Sequence, residues 1–148
     1  MATTLEIQEK IQRFETFIND RFRVDLAEFE KKLDSKNSDL AEFIQLKSVI
    51  NTWKDTEADK NGFKTKVEMG CGYYVQAAVD NVSKILLNIG LNHFVEFSLD
   101  DALVVINVRI KLLERQIENL RKQIAITNAH IKLILLGIRE LQDKPSNS

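Results

Sequence analysis

Two short segments of the chain repeat one pattern, MGCGYYVQ at residues 69–76 and IGLNHFVE at residues 89–96. Each segment runs apolar residue, Gly, any residue, Gly or Asn, ring-bearing residue, aromatic residue, Val, and then Gln or Glu. Gly and Asn accept positive φ angles most readily, so each copy predicts a tight turn between two extended arms. Residues 63–98 are therefore predicted to form two consecutive β-hairpins, and the rest of the chain is organised around them.

The arms of both hairpins show the alternation that is typical of half-buried strands. In the first hairpin, one face carries Phe63, Thr65, Val67 and Met69, followed by Cys71, Tyr73, Val75, Ala77 and Val79. In the second, the corresponding face carries Ile85, Leu87 and Ile89, followed by His93, Val95 and Phe97. The alternation places the hairpins at about residues 63–79 and 84–97.

Composition predicts a single domain, 1–148. The chain has 148 residues, of which 44% are hydrophobic and 29% charged, and its formal net charge is −1. This balance predicts no general attraction to nucleic acid or to membranes. The one cysteine, Cys71, forms no internal disulfide and suits a reducing compartment. We expect neither a secretory leader nor a membrane span, because the longest apolar runs are far shorter than roughly 18 residues.

A first helix is predicted over about residues 5–57. Its apolar residues recur at spacings of 3 and 4, with two successive steps of 4 at Ile18, Phe22 and Leu26 that resemble a stutter. Helix propensity falls over residues 34–39, where Asp39 and Glu42 offer a new start. We therefore expect a kink or soft spot at residues 34–39, not a domain boundary, and a helix stop at Asn61 and Gly62.

A second helix is predicted over about residues 99–142. Ser98 is a good N-cap, and Asp100 and Asp101 suit the first turn. The apolar seam continues without a slip through Leu103, Ile106, Ile110, Leu113, Ile117, Leu120, Ile124, Thr127, Ile131, Ile134, Ile138 and Leu141. Such a seam predicts a coiled coil. The polar tail, residues 143–148, is predicted to be disordered.

Apolar residues outside this seam lie near both ends of the second helix. Near the hairpins they are Val104, Val105, Val108 and Leu112, which we expect the sheet to cover. Near the far end they are Ile126, Leu133, Leu135 and Leu136, and no part of the chain remains to cover them.

These features together predict an α+β fold: two long helices in an antiparallel coiled coil, joined by two β-hairpins. Short strands leave open edges, and isolated hairpins are marginal in water, so we expect strands of other chains to complete the sheet. The predicted oligomer interface consists of Val67, Met69, Tyr73, Val75, Ile85, Leu87, Ile89, Phe94 and Val95.

No catalytic or metal-binding pattern accompanies this fold prediction. The Gly70-Cys71-Gly72 turn lacks the Gly-Lys-Ser/Thr that would complete a phosphate-binding loop. Cys71, His93 and His130 are too scattered for a zinc site, and no base is placed beside Cys71 by the sequence. We therefore expect neither an enzyme nor a cofactor.

The order helix, two hairpins with G-x-[GN] turns, helix resembles the α-type subunits of prefoldin, a cytosolic chaperone, over nearly the whole chain. Residues 15–18, 46–50, 69–71, 129–131 and 137–142 narrow the resemblance to one subgroup of that family. The resemblance implies a hexamer of two α-type and four β-type subunits, with the hairpins in a shared β-barrel platform and the helix pairs as tentacles. For the subgroup it implies a prefoldin-like complex that contains URI and works beside the RuvB-like ATPases.

The function implied is a co-chaperone that binds unfolded or unassembled proteins without ATP and aids folding and complex assembly. The predicted client-binding tips consist of Ile7, Ile11, Phe14, Ile131, Leu133, Leu135, Leu136 and Ile138. An adaptor or transcriptional cofactor that docks regulators or centrosomal components is the alternative. The resemblance implies a cytoplasmic and nuclear location, with the centrosome as a further site.

Overall fold

The computed structural model describes residues 3–143. Of the predicted tail, residues 143–148, Asp143 ends the last helix and residues 144–148 lie outside the described residues. The helices are α1 (Thr4–Phe17), a π-helical turn (Ile18–Phe22), α2 (Arg23–Asp55), α3 (Ala58–Asn61) and α4 (Leu99–Asp143). The strands are β1 (Phe63–Gly70), β2 (Tyr73–Val79), β3 (Lys84–Gly90) and β4 (His93–Ser98). Long helices with two antiparallel hairpins confirm the predicted α+β fold class.

The chain packs as two compact units. Residues up to Ser38, together with those from Glu114 onward, form the helical unit, and Asp39–Leu113 form the hairpin unit. The divisions fall within α2 and within α4. None of the described helices is both long and apolar enough to cross a membrane.

The core of the hairpin unit joins both long helices to the second hairpin. Ile50 of α2, Leu87 of β3 and Leu99, Ala102 and Ile106 of α4 form one buried cluster. Ala102 has no exposed surface, so the cluster is closely packed around its small side chain. Half-buried apolar residues surround the cluster: Phe43, Leu46, Trp53, Ile85, Phe97, Leu103, Val105 and Ile110.

The two hairpins form separate two-stranded sheets with the same turn geometry. Cys71 and Gly72 link β1 to β2, Leu91 and Asn92 link β3 to β4, and all four residues have positive φ angles. Positive φ at both loop positions is the type I′ turn, which matches the twist of the flanking strands. Each hairpin also shifts its register by one residue just before the turn, between Glu68 and Gly70 and between Asn88 and Gly90. The sequence repeat is therefore a structural repeat.

The start of α4 is fixed by its predicted cap. The Asp101 backbone N–H donates to Ser98 Oγ at 3.2 Å, which satisfies one of the free donors of the first turn. Asp100, in the same turn, forms an ion pair with Lys54 at the end of α2. The hydrogen bond that Lys54 Nζ donates to the Asp100 carboxylate raises the pKa of Lys54 above its usual value. Because both groups are largely solvated, this pair fixes geometry more than it stabilises.

Seam residues line the interior of the helical unit as the heptad pattern predicts. Ile18, Ile117 and Ile138 are buried. Thr127, the polar member of the seam, is buried as well, and its hydroxyl donates to the Gln123 carbonyl at 2.9 Å. That bond satisfies the hydroxyl within its own helix, so the seam accepts a polar residue without leaving an unpaired group.

The helix does not end and restart at residues 34–39, because α2 continues through them without a break. Helix propensity is a weak preference, and Leu33 and Leu40 on either side are half-buried in the packed helix. The irregularity lies at Ile18–Phe22 instead, where the seam takes two steps of 4. There the Arg23 N–H donates to the Ile18 carbonyl, an i to i+5 bond. A π-turn absorbs one extra residue, so Ile18 and Phe22 both stay on the seam.

We expect Gly62→Ala to lower the free energy of unfolding by about 3 kcal/mol, as measured by urea denaturation of the purified chain. Gly62 has φ +71° and ψ −175°, a conformation that is essentially restricted to glycine. An added Cβ would also overlap the Val79 carbonyl oxygen and lie 2.7 Å from the Asp80 carbonyl carbon. Gly72→Asn is the matched control, because a Cβ there meets nothing within 4 Å and Asn92 occupies the equivalent turn position. Equal stability of Gly62→Ala and Gly72→Asn would contradict this account.

Deletion of Asp20 is expected to change the free energy of unfolding by no more than about 1 kcal/mol. Asp20 is exposed within the π-turn, and its removal restores a regular spacing from Ile18 to Phe22. Deletion of Glu30, an exposed residue of the regular α2 helix, should cost about 4 kcal/mol or more, because it rotates all seam residues on one side out of the core. Thermal unfolding followed by circular dichroism compares the two deletions, and similar losses would disprove the register role of the π-turn.

Candidate interaction surfaces

The first hairpin presents an apolar face that the chain leaves uncovered. Val67 and Val75 lie directly opposite each other across β1 and β2. At the base of the hairpin, Phe63 stacks on Trp53 with ring centroids 5.5 Å apart and is half-buried. Towards the turn the cover ends: Val67, Val75 and Met69 are exposed, and Tyr73 exposes 74% of its surface. An exposed apolar strand face of this kind is typical of an interaction surface.

The second hairpin, in contrast, rests on the chain's own helices. Leu87 exposes only 7% of its surface in the core with Ile50 and Ile106. Near the turn, the Arg109 guanidinium of α4 donates to the Ile89 carbonyl at 2.8 Å. The repeat has therefore placed equivalent faces in different environments.

This difference corrects part of the predicted oligomer interface. Leu87 belongs to the chain's own core, and Ile85 is half-buried against that core. Periodicity identifies an apolar face without identifying what covers it, so the burial of Leu87 within the chain could not be predicted. The other predicted interface residues of this hairpin, Ile89, Phe94 and Val95, are exposed.

Three exposed apolar residues of the hairpins were missed by the sequence reasoning, namely Tyr74, Leu86 and Leu91. Leu91, at the tip of the second turn, exposes 94% of its surface. A signal for Leu86 was present, because the consecutive run Ile85-Leu86-Leu87 makes both faces of β3 apolar. We define the hairpin surface as the exposed apolar residues Val67, Met69, Tyr73, Tyr74, Val75, Leu86, Ile89, Leu91, Phe94 and Val95.

Free strand edges accompany the hairpin surface. Each strand in the described part of the chain pairs with one neighbour, so its other edge has unpaired backbone groups. Lys64 and Lys66 on β1 and Lys84 on β3 are exposed. Charged residues on strands of this kind hinder indiscriminate pairing while they leave the edge open to a specific partner.

A second uncovered surface lies on α4 within the hairpin unit. Val104, Val108 and Leu112 follow one another at intervals of four residues and are all exposed. The expectation that the sheet covers this part of α4 is therefore wrong for these three residues. Val105, in contrast, is half-buried and packs against the core of the hairpin unit. We define the α4 stripe as Val104, Val108 and Leu112.

The helical unit carries a third uncovered surface near the ends of α1 and α4. Phe14 of α1 and Leu133, Leu135 and Leu136 of α4 are exposed, and we define them as the terminal surface. The other predicted tip residues differ in exposure. Ile7, Ile11 and Ile131 are half-buried, and Ile138 is buried with 6% of its surface exposed. Ile138 therefore supports the seam and is corrected as a contact residue.

Residues with reactive or metal-binding side chains are dispersed. Within residues 3–143, no three His, Cys, Asp or Glu side chains are grouped as metal ligands. Cys71 is exposed in the first turn. His130 lies against Phe22, with ring centroids 5.7 Å apart, and Phe22 packs edge-on against Phe17. The described residues thus offer exposed apolar contact surfaces.

Long seam-bearing helices with two open-edged hairpins define a class of protein, the coiled-coil subunit that assembles through strands. The family model described as Prefoldin subunit matches residues 22–144. The chain belongs to the prefoldin subunit family. Protein UXT homolog of Nematostella vectensis is 35% identical over 137 residues, which cover 93% of this chain and 86% of that protein. Human Protein UXT is 34% identical over 90% of this chain and 84% of its own length.

More distant relatives agree with this assignment. The prefoldin subunit alpha of Thermofilum pendens is 33% identical over 85 residues, which cover 55% of this chain and 66% of that protein. In a cryo-EM structure of filamentous PFD from Methanocaldococcus jannaschii, one chain aligns with a TM-score of 0.61 at 21% identity. That alignment covers 78% of this chain and 93% of the other, and it shows the fold. The resemblance drawn from the sequence is confirmed, and the subgroup it indicated is that of the UXT proteins.

We expect the double substitution Val67→Lys and Tyr73→Lys to weaken assembly with partner subunits by about tenfold or more, because it places charges on a face that assembly would remove from water. Both side chains are exposed in the isolated chain, so its helicity and thermal unfolding should not change. Size-exclusion chromatography of the co-expressed complex, with light scattering, measures the assembled fraction. Gln76→Lys on the opposite face is the control. Unchanged assembly of the double variant would remove this face from the interface.

Proposed function

We propose that the chain is an α-type subunit of a hetero-oligomeric prefoldin or prefoldin-like co-chaperone. It binds unfolded or unassembled proteins without ATP and thereby aids folding and complex assembly. One observation carries this proposal: the terminal surface remains exposed although the seam residues around it, such as Ile138, are buried. The apolar residues at these helix ends are therefore not needed to hold the two helices together.

Assembly is the first part of the proposal, and the hairpin surface supports it. Two-stranded hairpins are marginal in water, and large exposed apolar residues on both hairpins lose contact with water when partner strands cover them. The partners are other prefoldin-family subunits. In the prefoldin-like form of the complex, URI is among them, and the RuvB-like ATPases act beside it.

Client holding is the second part. Leu133, Leu135 and Leu136 expose between 47% and 65% of their surface, and each would contribute a modest transfer free energy when a client covers it. A single terminal surface is small, so one subunit binds weakly. Several subunits in one oligomer raise the effective concentration of such surfaces, and the complex then holds a client without a deep pocket. Weak, multiple contacts also release the client without nucleotide hydrolysis.

The α4 stripe favours a second candidate function, that of an adaptor or transcriptional cofactor. Val104, Val108 and Leu112 have the i, i+4 and i+8 spacing with which one helix docks into an apolar groove of another protein. In that role the chain would dock transcriptional regulators or centrosomal components and would have no holding activity. The proposal places the protein in the cytoplasm and nucleus, where the single Cys71 stays reduced, with the centrosome as a further site.

We expect Leu133→Ser, Leu135→Ser and Leu136→Ser, combined in one chain, to lower the suppression of aggregation by the assembled complex at least severalfold. The substitutions remove most of the apolar area of the terminal surface, while the exposed positions leave the seam intact. Light scattering of a chemically denatured reporter enzyme, titrated with the complex, measures the effect. The matched control combines Val104→Ser, Val108→Ser and Leu112→Ser, which removes exposed apolar residues from the same helix.

The two triple variants separate the candidate functions. Loss of suppression in the terminal variant alone supports the co-chaperone. No suppression by the unmodified complex at any stoichiometry, with loss of a bound regulator only in the stripe variant, supports the adaptor. Failure of the terminal variant to assemble would show that these leucines are structural. Affinity purification with mass spectrometry then identifies the complex, since recovery of URI and the RuvB-like ATPases distinguishes the prefoldin-like form.

A further inference from the structure

A groove between α1 and α4 adjoins the terminal surface. Its walls are Lys10, Arg13 and Phe14 on α1 and Gly137, Glu140 and Leu141 on α4, all within the helical unit. Its volume is about 450 Å³, within the roughly 300–1,000 Å³ range of ligand pockets. The apolar members are the exposed ring of Phe14, the half-buried side chain of Leu141 and the backbone at Gly137.

Gly137 is the residue that opens this groove. It lies inside α4 without a positive φ angle, so the backbone does not require glycine there. A Cβ at this position would meet no atom within 4 Å, so close packing within the chain does not require glycine either. Glycine nevertheless weakens a helix relative to alanine. Gly137 thus weakens its own helix and leaves one wall of the groove without a side chain. Another molecule can therefore approach the backbone closely at this position.

The charges around the groove are arranged asymmetrically. Lys10 and Arg13 lie about one helical turn apart on α1, and both are exposed. Glu140 lies on the α4 wall and is also exposed. A ligand with acidic groups is attracted to the α1 wall and repelled from the α4 wall, so the charges favour one orientation. The long stems of Lys10 and Arg13 can lie over an apolar ligand while their charged ends pair with its carboxylates.

We propose that this groove binds one large apolar side chain, aromatic or leucine, of a client segment in which acidic residues flank that side chain. The inference rests on the proposed function and gives it a sequence preference. Phe14, Leu141 and the open backbone at Gly137 cover the apolar side chain, and Lys10 and Arg13 select the flanking carboxylates. Client segments with basic flanks bind less well, because the groove walls carry two basic residues and a single acidic one, Glu140.

The experiment measures peptide binding to the assembled complex that contains the full-length chain. Two fluorescein-labelled peptides, Gly-Glu-Phe-Leu-Glu-Gly and Gly-Lys-Phe-Leu-Lys-Gly, differ only in their flanking charges, and fluorescence anisotropy gives their Kd values. The acidic peptide should bind about fivefold more tightly, the factor that two exposed ion pairs supply, and high salt should abolish the difference. The combined variant Lys10→Glu and Arg13→Glu should reverse the preference.

Gly137 variants test the groove itself. Gly137→Leu should weaken binding of the acidic peptide about tenfold or more, because the new side chain occupies the site of the ligand's apolar residue. Leu strengthens the helix, so circular dichroism should show that the variant stays folded. Asn119→Leu, an exposed position on the same helix outside the groove, is the matched control and should bind as the unmodified chain does. Equal Kd values for the two peptides, or unchanged binding by Gly137→Leu, would overturn the inference.

Peptide binding tests the groove, and suppression of aggregation tests the proposed function, so either can fail without the other. A complex that suppresses aggregation but binds both peptides equally retains its co-chaperone role and disproves the groove as a selective site. A complex that never suppresses aggregation yet prefers the acidic peptide, and loses that preference in Gly137→Leu, supports the groove and removes the co-chaperone role.

Discussion

The buried contact of Leu87 with Ile50, Ala102 and Ile106 holds the hairpin unit together. Two-stranded hairpins do not persist alone in water, and this contact gives the second hairpin a helical base. It includes the small, fully buried side chain of Ala102, and a larger residue there would overpack the cluster. The Arg109 bond to the Ile89 carbonyl then fixes the same strand near its turn. The remaining surfaces of the unit are defined by what this contact leaves uncovered.

The two hairpins share one sequence repeat but differ in what covers their apolar faces. The turn and the register shift of the first hairpin match those of the second, but the base of the first is held by the Trp53–Phe63 stack and the close chain passage at Gly62. Val67 occupies the position equivalent to Leu87 and remains exposed. The repeat thus supplies one hairpin that completes the chain's own core and one whose apolar face is available to another subunit.

Much of the fold could be predicted from periodicity, because spacings of 2 and of 3 to 4 identify strands, helices and their apolar faces. At residues 34–39 the helix continues although local helix propensity is low, because packing of the seam outweighs a modest preference per residue. The slip at Ile18 was visible as spacing, but not as a π-turn, because the sequence does not say how the backbone absorbs an extra residue.

Among the surface residues, the exposure of Leu133, Leu135 and Leu136 could be predicted from the sequence. The burial of Ile85, Leu87 and Ile138 could not. A periodic pattern places these residues on an apolar face and leaves its cover undetermined. Gly137 carries no periodic signal at all.

The exposed hairpin face has a consequence for the life of the chain before assembly. A newly made subunit presents Tyr73, Leu91 and unpaired strand edges to the cell, features that also mark a misfolded protein. Exposed groups of this kind leave a protein open to chaperones and proteases until another chain covers them.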